Sequence, residues 1–226
     1  LPIVVYRPSK AAAYALLARI YLTMGDYRQA LRYVDFCLGI KDVLLDFNKM
    51  NLNDTYLLPA TWETDNPELI FGLNTPNPAI LSPASRQNVD TLLFGLYDEH
   101  DLRKRAYFRI QSGRLIFKGS YTRGGTFPGL AVDECYLIKA ECHARLGEED
   151  YALQTINRLR QHRFDQAYFM PIDDISGEAL LRAILLERRK ELVFRGQRWY
   201  DLRRLNKEPR FSEVLVRQVG SKRYEL

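Results

Sequence analysis

The stretch Glu187-Arg-Arg-Lys-Glu-Leu-Val-Phe-Arg-Gly-Gln-Arg-Trp-Tyr-Asp-Leu-Arg-Arg204 decides how this chain is read. It sets ten charged residues around one glycine, Gly196, and an adjacent Trp199-Tyr200 pair. Leu181, Leu185 and Leu192 fall on one face of a helix, and Arg188 lies on the same apolar stripe. Gly196 offers a left-handed stop. Past it, Trp199, Tyr200 and Leu202 are expected to turn back onto the core. The segment thus reads as a helix, a sharp corner and a short second helix. Burying an arginine unpaired is costly, so Arg188 must find a carboxylate or backbone carbonyls. Glu141 or another helix carboxylate is the expected partner. Two readings follow: a structural salt-bridge corner, which the pattern favours, and a ligand-binding site.

Two earlier segments share a second pattern. Tyr14, Leu17, Ala18 and Tyr21 make one apolar helical face, Met24-Gly-Asp26 breaks it, and Ala30, Val34, Cys37 and Leu38 make a facing stripe. Placing Ala152 on Ala30 puts Gly147 on Gly25, Ala140 on Ala18, His143 on Tyr21 and Tyr136 on Tyr14. This is the spacing of tetratricopeptide-like hairpins, expected over 8–40 and 133–162. The signature pair over 177–205 makes a third hairpin. Residues 41–132 differ: prolines and glycines punctuate them, with short strands expected at Leu69–Phe71 and Leu115–Phe117 and a helix at Val89–Tyr97. A repeat broken by such a stretch reads as a scaffold carrying a functional insertion.

The 226 residues, 46% hydrophobic and 27% charged, suit one large domain. Residues 177–210 hold ten Lys or Arg and five Asp or Glu, a surplus equal to the net charge of +5 of the whole chain. No general basic field is left for a phosphate backbone, which argues against nucleic acid. Cys37, Cys135 and Cys142 read as small buried apolar residues.

The signature resembles the C-terminal part of the SusD/RagB family, at Glu187, Arg188, Arg189, Glu191, Leu192, Phe194, Gly196, Arg198, Trp199, Tyr200, Asp201, Leu202 and Arg203. Arg195 departs from it, since an acidic residue is more usual before the glycine; Leu205 replaces a common tryptophan. Tyr97-Asp-Glu-His-Asp-Leu-Arg103, Leu137–Glu141 and Ile156–Arg160 also resemble family segments. The resemblance implies an all-α fold of tetratricopeptide-like hairpins with a long irregular insertion. It implies a lipid-anchored outer-membrane protein that binds oligosaccharide, or in some relatives peptide. A SusC-like TonB-dependent transporter would be its partner. Family members are longer, so 1–226 is expected to be one domain lacking its N-terminal part and its lipidated cysteine.

Catalysis finds no motif. His100, His143 and His162 lack nucleophile partners, no zinc spacing occurs, and neither metal nor cofactor is expected. The carboxylate pairs Glu63/Asp65, Asp133/Glu134 and Asp173/Asp174 read as surface groups rather than a glycosidase dyad. Sugar binding needs flat aromatic faces with amides and carboxylates beside them. Trp62, in a polar Pro-flanked stretch, is the expected platform, with Tyr56, Asn74, Tyr107 and Tyr121 as further candidates. Each has a plainer reading as a packing residue. The alternative function is a tetratricopeptide adaptor for a protein or peptide, which the insertion argues against.

Overall fold

The computed structural model describes residues 5–58, 66–72, 89–121 and 126–225. The chain opens with α1 (Lys10–Met24) and α2 (Tyr27–Leu38). The insertion contributes β1 (Leu69–Phe71), α3 (Thr91–Phe94), α4 (Arg103–Tyr107), β2 (Phe108–Gln111), β3 (Arg114–Phe117) and β4 (Leu130–Ala131). Helices α5 (Val132–Arg145), α6 (Glu149–Gln161), α7 (Gly177–Glu191) and α8 (Gln197–Leu205) follow, and the hairpin of β5 (Val216–Val219) and β6 (Lys222–Glu225) comes last. The fold is mainly helical. No helix among the described residues is long and apolar enough to cross a membrane.

The hairpin α1–α2 forms for local reasons. The Ser9 side chain accepts from the Ala12 amide and Asp26 from the Gln29 amide, capping both helices. Gly25 between them has φ 82°, and Gly147 between α5 and α6 has φ 79°, so both corners need the left-handed backbone glycine adopts freely. Ala18, Ala30, Ala140 and Ala152 are all fully buried, as the aligned spacing predicts. Tyr21 stacks on Tyr33 with centroids 5.4 Å apart. Its counterpart His143 is packed too, with Nδ1 2.6 Å from a Glu148 carboxylate oxygen. Helix α2 packs on α5, and α5 on α7, giving one continuous helical core.

The insertion builds a second apolar cluster, centred on Phe47, Tyr97, Tyr107, Phe117, Tyr121 and Phe127. The expected strands form: β1 pairs antiparallel with β4, and β2 with β3. The expected helix over Val89–Tyr97 shrinks to the single turn α3, because Gly95 follows and no residue of it is buried. A layer of buried charge borders this second cluster, with Arg163 over the Phe47 ring and Arg195 over the Tyr121 ring.

Candidate functional site

That layer is where the signature goes. Glu187 and Glu191 point from α7 toward Arg103, which donates to Glu187 at 2.6 Å, to Glu191 at 3.0 Å and to Asp101 at 2.7 and 2.8 Å. Arg163 donates to Glu191 at 2.8 Å, to Glu68 at 2.6 Å and to the Leu45 carbonyl at 2.6 Å. Lys190 joins Asp101 and Glu187. Arg195, the departure from the family pattern, grips Asp133 through both guanidinium nitrogens at 2.7 and 2.9 Å and lies over the Tyr121 ring. Five carboxylates (Glu68, Asp101, Asp133, Glu187, Glu191) thus face five cations (Arg103, Arg160, Arg163, Lys190, Arg195), Arg160 lying 3.9 Å from Glu187. Burial opposes ionisation of Glu191, but Arg163 and Arg103 outweigh it and hold its pKa down to about 2. Asp133 shifts the other way: burial, helped by Glu68 and Glu191 against the pull of Arg195, pushes it up to about 7.

A second buried cluster closes the corner. Arg188 is buried and paired with a helix carboxylate as expected, and that partner is Asp201, at 2.9 Å, rather than Glu141. Glu141 is taken by Arg204 and Arg145 instead, and despite its burial they hold its pKa down to about 2. The separation decides this: Asp201 sits on α8, directly after the corner that folds it back over Arg188. Gly196 is left-handed at φ 75°, yet it opens α8 rather than ending α7, which stops at Glu191. Phe194 shares the corner at φ 57°. Arg198 pairs with Glu213 outside, and Arg189 is only half-buried near the same carboxylate.

Three expectations are corrected. Trp199 and Tyr200 do not return to the core; each is 54% exposed. Helix α8 buries Gln197, Asp201, Leu202, Arg204 and Leu205, which turns 199 and 200 to the other face. Asp133 and Glu134 are not a surface pair, since both are buried, with Glu134 bound to Arg19 at 2.6 Å. Tyr121 and Tyr107 are no sugar platforms. Both are almost wholly buried, and their hydroxyls bond inward, that of Tyr121 to Glu68 and that of Tyr107 to Glu191.

Of the other candidates, Trp62 and Asn74 lie outside the described residues. Tyr56 is 40% exposed and lines a hollow of about 560 Å³ formed by the Met50–Leu58 segment. That segment is anchored. The Lys118 ammonium donates to the carbonyls of Leu52 and Asp54 at 2.6 and 2.7 Å. Lys118 was not legible as an anchor, because nothing local relates a strand end to a loop 64 residues earlier. Among the described residues no group of His, Cys, Asp and Glu is arranged to hold a metal.

Comparison with known proteins places this geometry. Residues 105–218 match the sequence profile of the SusD family. A SusD-like protein from Bacteroides fragilis NCTC 9343 superposes with a TM-score of 0.75 at 18% identity, covering 97% of this chain and 59% of its own. A SusD superfamily protein from Bacteroides fragilis gives 0.74 at 21%, covering 100% and 53%. A SusD-like carbohydrate binding protein from Bacteroides vulgatus ATCC 8482 gives 0.67 at 20%, again covering 100% and 53%. The chain therefore spans little more than half the length of these structures. No curated protein matches it.

Proposed function

The chain belongs to the SusD family, and from that membership we propose that it is part of a non-catalytic, lipid-anchored protein of the outer-membrane surface. It binds an oligosaccharide there and passes it to a SusC-like TonB-dependent transporter. The observation that carries this reading is the division of labour in the molecule. The buried signature charges Glu187, Arg188, Glu191 and Asp201 are consumed by internal pairing, so they support the fold. The insertion instead presents an exposed aromatic, Tyr56, beside a hollow of about 560 Å³ on a loop fixed by Lys118. A rigidly held aromatic with amide and carboxylate neighbours, here Asn51 and Asp54, is what a sugar ring requires. Trp62 follows four residues after this segment and remains the proposed main platform, with Asn74 as a polar contact.

Calorimetric titration of oligosaccharides identified on a glycan array tests the reading. Trp62→Ala should weaken binding at least tenfold, since losing a central aromatic anchor typically costs about 2 kcal/mol, while the thermal midpoint stays put. Absence of binding to any glycan overturns the proposal.

One feature favours the alternative, a peptide adaptor. A groove of about 490 Å³ runs between α2, α5 and α6, lined by Tyr136, Tyr151, Lys139 and Arg158. Its cations are already matched, Lys139 to Asp35 and Arg158 to Asp42, which leaves little charge to recruit a partner. Tyr151→Ala would abolish binding only under the adaptor reading.

A further inference from the structure

A different pocket, of about 370 Å³, lies on the outer side of the β2–β3 hairpin. Phe94 and Phe108 form its apolar wall, their rings edge to face at 5.5 Å. Lys104, Arg105, Arg109 and Lys118 line it as well, and no carboxylate side chain does among the described residues. Among the described residues none of the four makes an ion pair, whereas the buried cations of the charge layer all do. Lys104 lies 5.2 Å from the centre of the Phe94 ring. Arg109 gives one nitrogen to Gln111, but its Nε is buried with no hydrogen-bond partner. Lys118 feels the crowding: burial and then the nearby Arg109 charge lower its pKa, with Asp54 pulling the other way.

Like charges repel, and a buried guanidinium N–H without an acceptor loses a bond it would have made in water. Arg105 is exposed and Lys104 and Arg109 are half-buried, so water screens part of this repulsion, and a bound anion would turn it into attraction. Guanidinium groups suit carboxylate or sulfate oxygens because their paired N–H donors match two acceptors at once. The aromatic wall offers an apolar surface to the ring carrying that group. Location adds the link to the sugar hollow. Leu52 and Asn53 line this pocket, Asn51 and Asp54 line the hollow at Tyr56, and Lys118 holds the carbonyls of Leu52 and Asp54 between them.

We propose that this pocket is an anion subsite, built on Arg105 and Arg109, that takes the carboxylate or sulfate of an acidic oligosaccharide whose neighbouring sugars occupy the Tyr56 hollow. It rests on the oligosaccharide-binding reading above and narrows it to charged glycans.

Four probes test it on the whole chain by calorimetry: tetragalacturonate, its fully methyl-esterified form, a chondroitin sulfate tetrasaccharide and its desulfated form. The chondroitin pair differs in sulfate alone and keeps its uronate in both members. At least one anionic probe should bind at least tenfold tighter than its matched form, with an affinity that falls as salt rises. R105Q/R109Q should weaken that probe at least tenfold, and R105K/R109K should recover part of the loss. Preference for tetragalacturonate assigns the carboxylate; preference for the sulfated tetrasaccharide assigns the sulfate. The subsite is wrong if the matched forms bind equally well, or if R105Q/R109Q binds the anion like the wild type. In either case the oligosaccharide reading survives. If none of the four probes and no neutral glycan on an array binds, both fall.

Discussion

Arg163 donates its Nε to Glu191 at 2.8 Å, with neither side chain exposed to solvent. This contact ties the end of the α5–α6 hairpin to the signature helix α7. Through its other nitrogens Arg163 also reaches Glu68 and the Leu45 carbonyl in the insertion. One side chain therefore joins three parts of the chain.

Arg163 and Arg188 should differ in how much stability they carry. Arg163→Met removes the one ion pair that Glu68 makes among the described residues, and an uncompensated buried charge costs about 3–5 kcal/mol. Arg188→Met leaves Asp201 still held by Arg204 at 2.9 Å, so the loss should be nearer 1–3 kcal/mol, the scale of a charged hydrogen bond. Urea denaturation of both variants checks the order. Equal losses would mean that Glu68 finds another partner.

Asp133 should make stability fall as pH rises. Its folded pKa of about 7 lies above the ordinary carboxylate value of 3.8, so the folded state holds a proton that the unfolded chain releases. That contribution is full below about pH 4 and is lost as pH climbs through 7. Glu191 and Glu141 act oppositely. With folded pKa values of about 2 against 4.5, their contribution is present above 4.5 and disappears as pH falls toward 2. The thermal midpoint should peak between pH 4 and 6. Asp133→Asn should flatten the decline from pH 5 to 8, and an unchanged slope would exclude Asp133 as its source.

Ala30 and Ala152 should behave alike. Both are fully buried at the same place in their hairpins, so Leu at either position overpacks the contact, at roughly 1–3 kcal/mol. Thermal melts of Ala30→Leu and Ala152→Leu check this. A neutral result for one only would show that its hairpin can open to admit the side chain.

Much of the helical frame was legible because its rules are local. Spacings of three, four and seven place Ala18 and Ala140 inward, and Gly25 and Gly147 mark the corners, without any distant residue being consulted. A local reading misled at Trp199. The turn at Gly196 suggested a return to the core, but the face that α8 buries is set by Asp201 meeting Arg188 and Arg204 meeting Glu141. The sites in the insertion were least legible. Tyr121 and Tyr56 look equivalent in a loop-rich stretch, yet one is a core strut bonded to Glu68 and the other lines an open hollow.

The sequence by itself determined the α1–α2 and α5–α6 hairpins, the corner at Gly196 and the SusD family signature, since each depends on residues within a few turns of one another. Only the tertiary structure decided which charges meet. Arg103 reaches Glu187 across 84 residues and Arg163 reaches Glu68 across 95. At those separations an ion pair is chosen by how the insertion docks on the helices. Any of several carboxylates would satisfy a buried arginine equally well on paper, and the packing of two apolar clusters brings one of them within 3 Å.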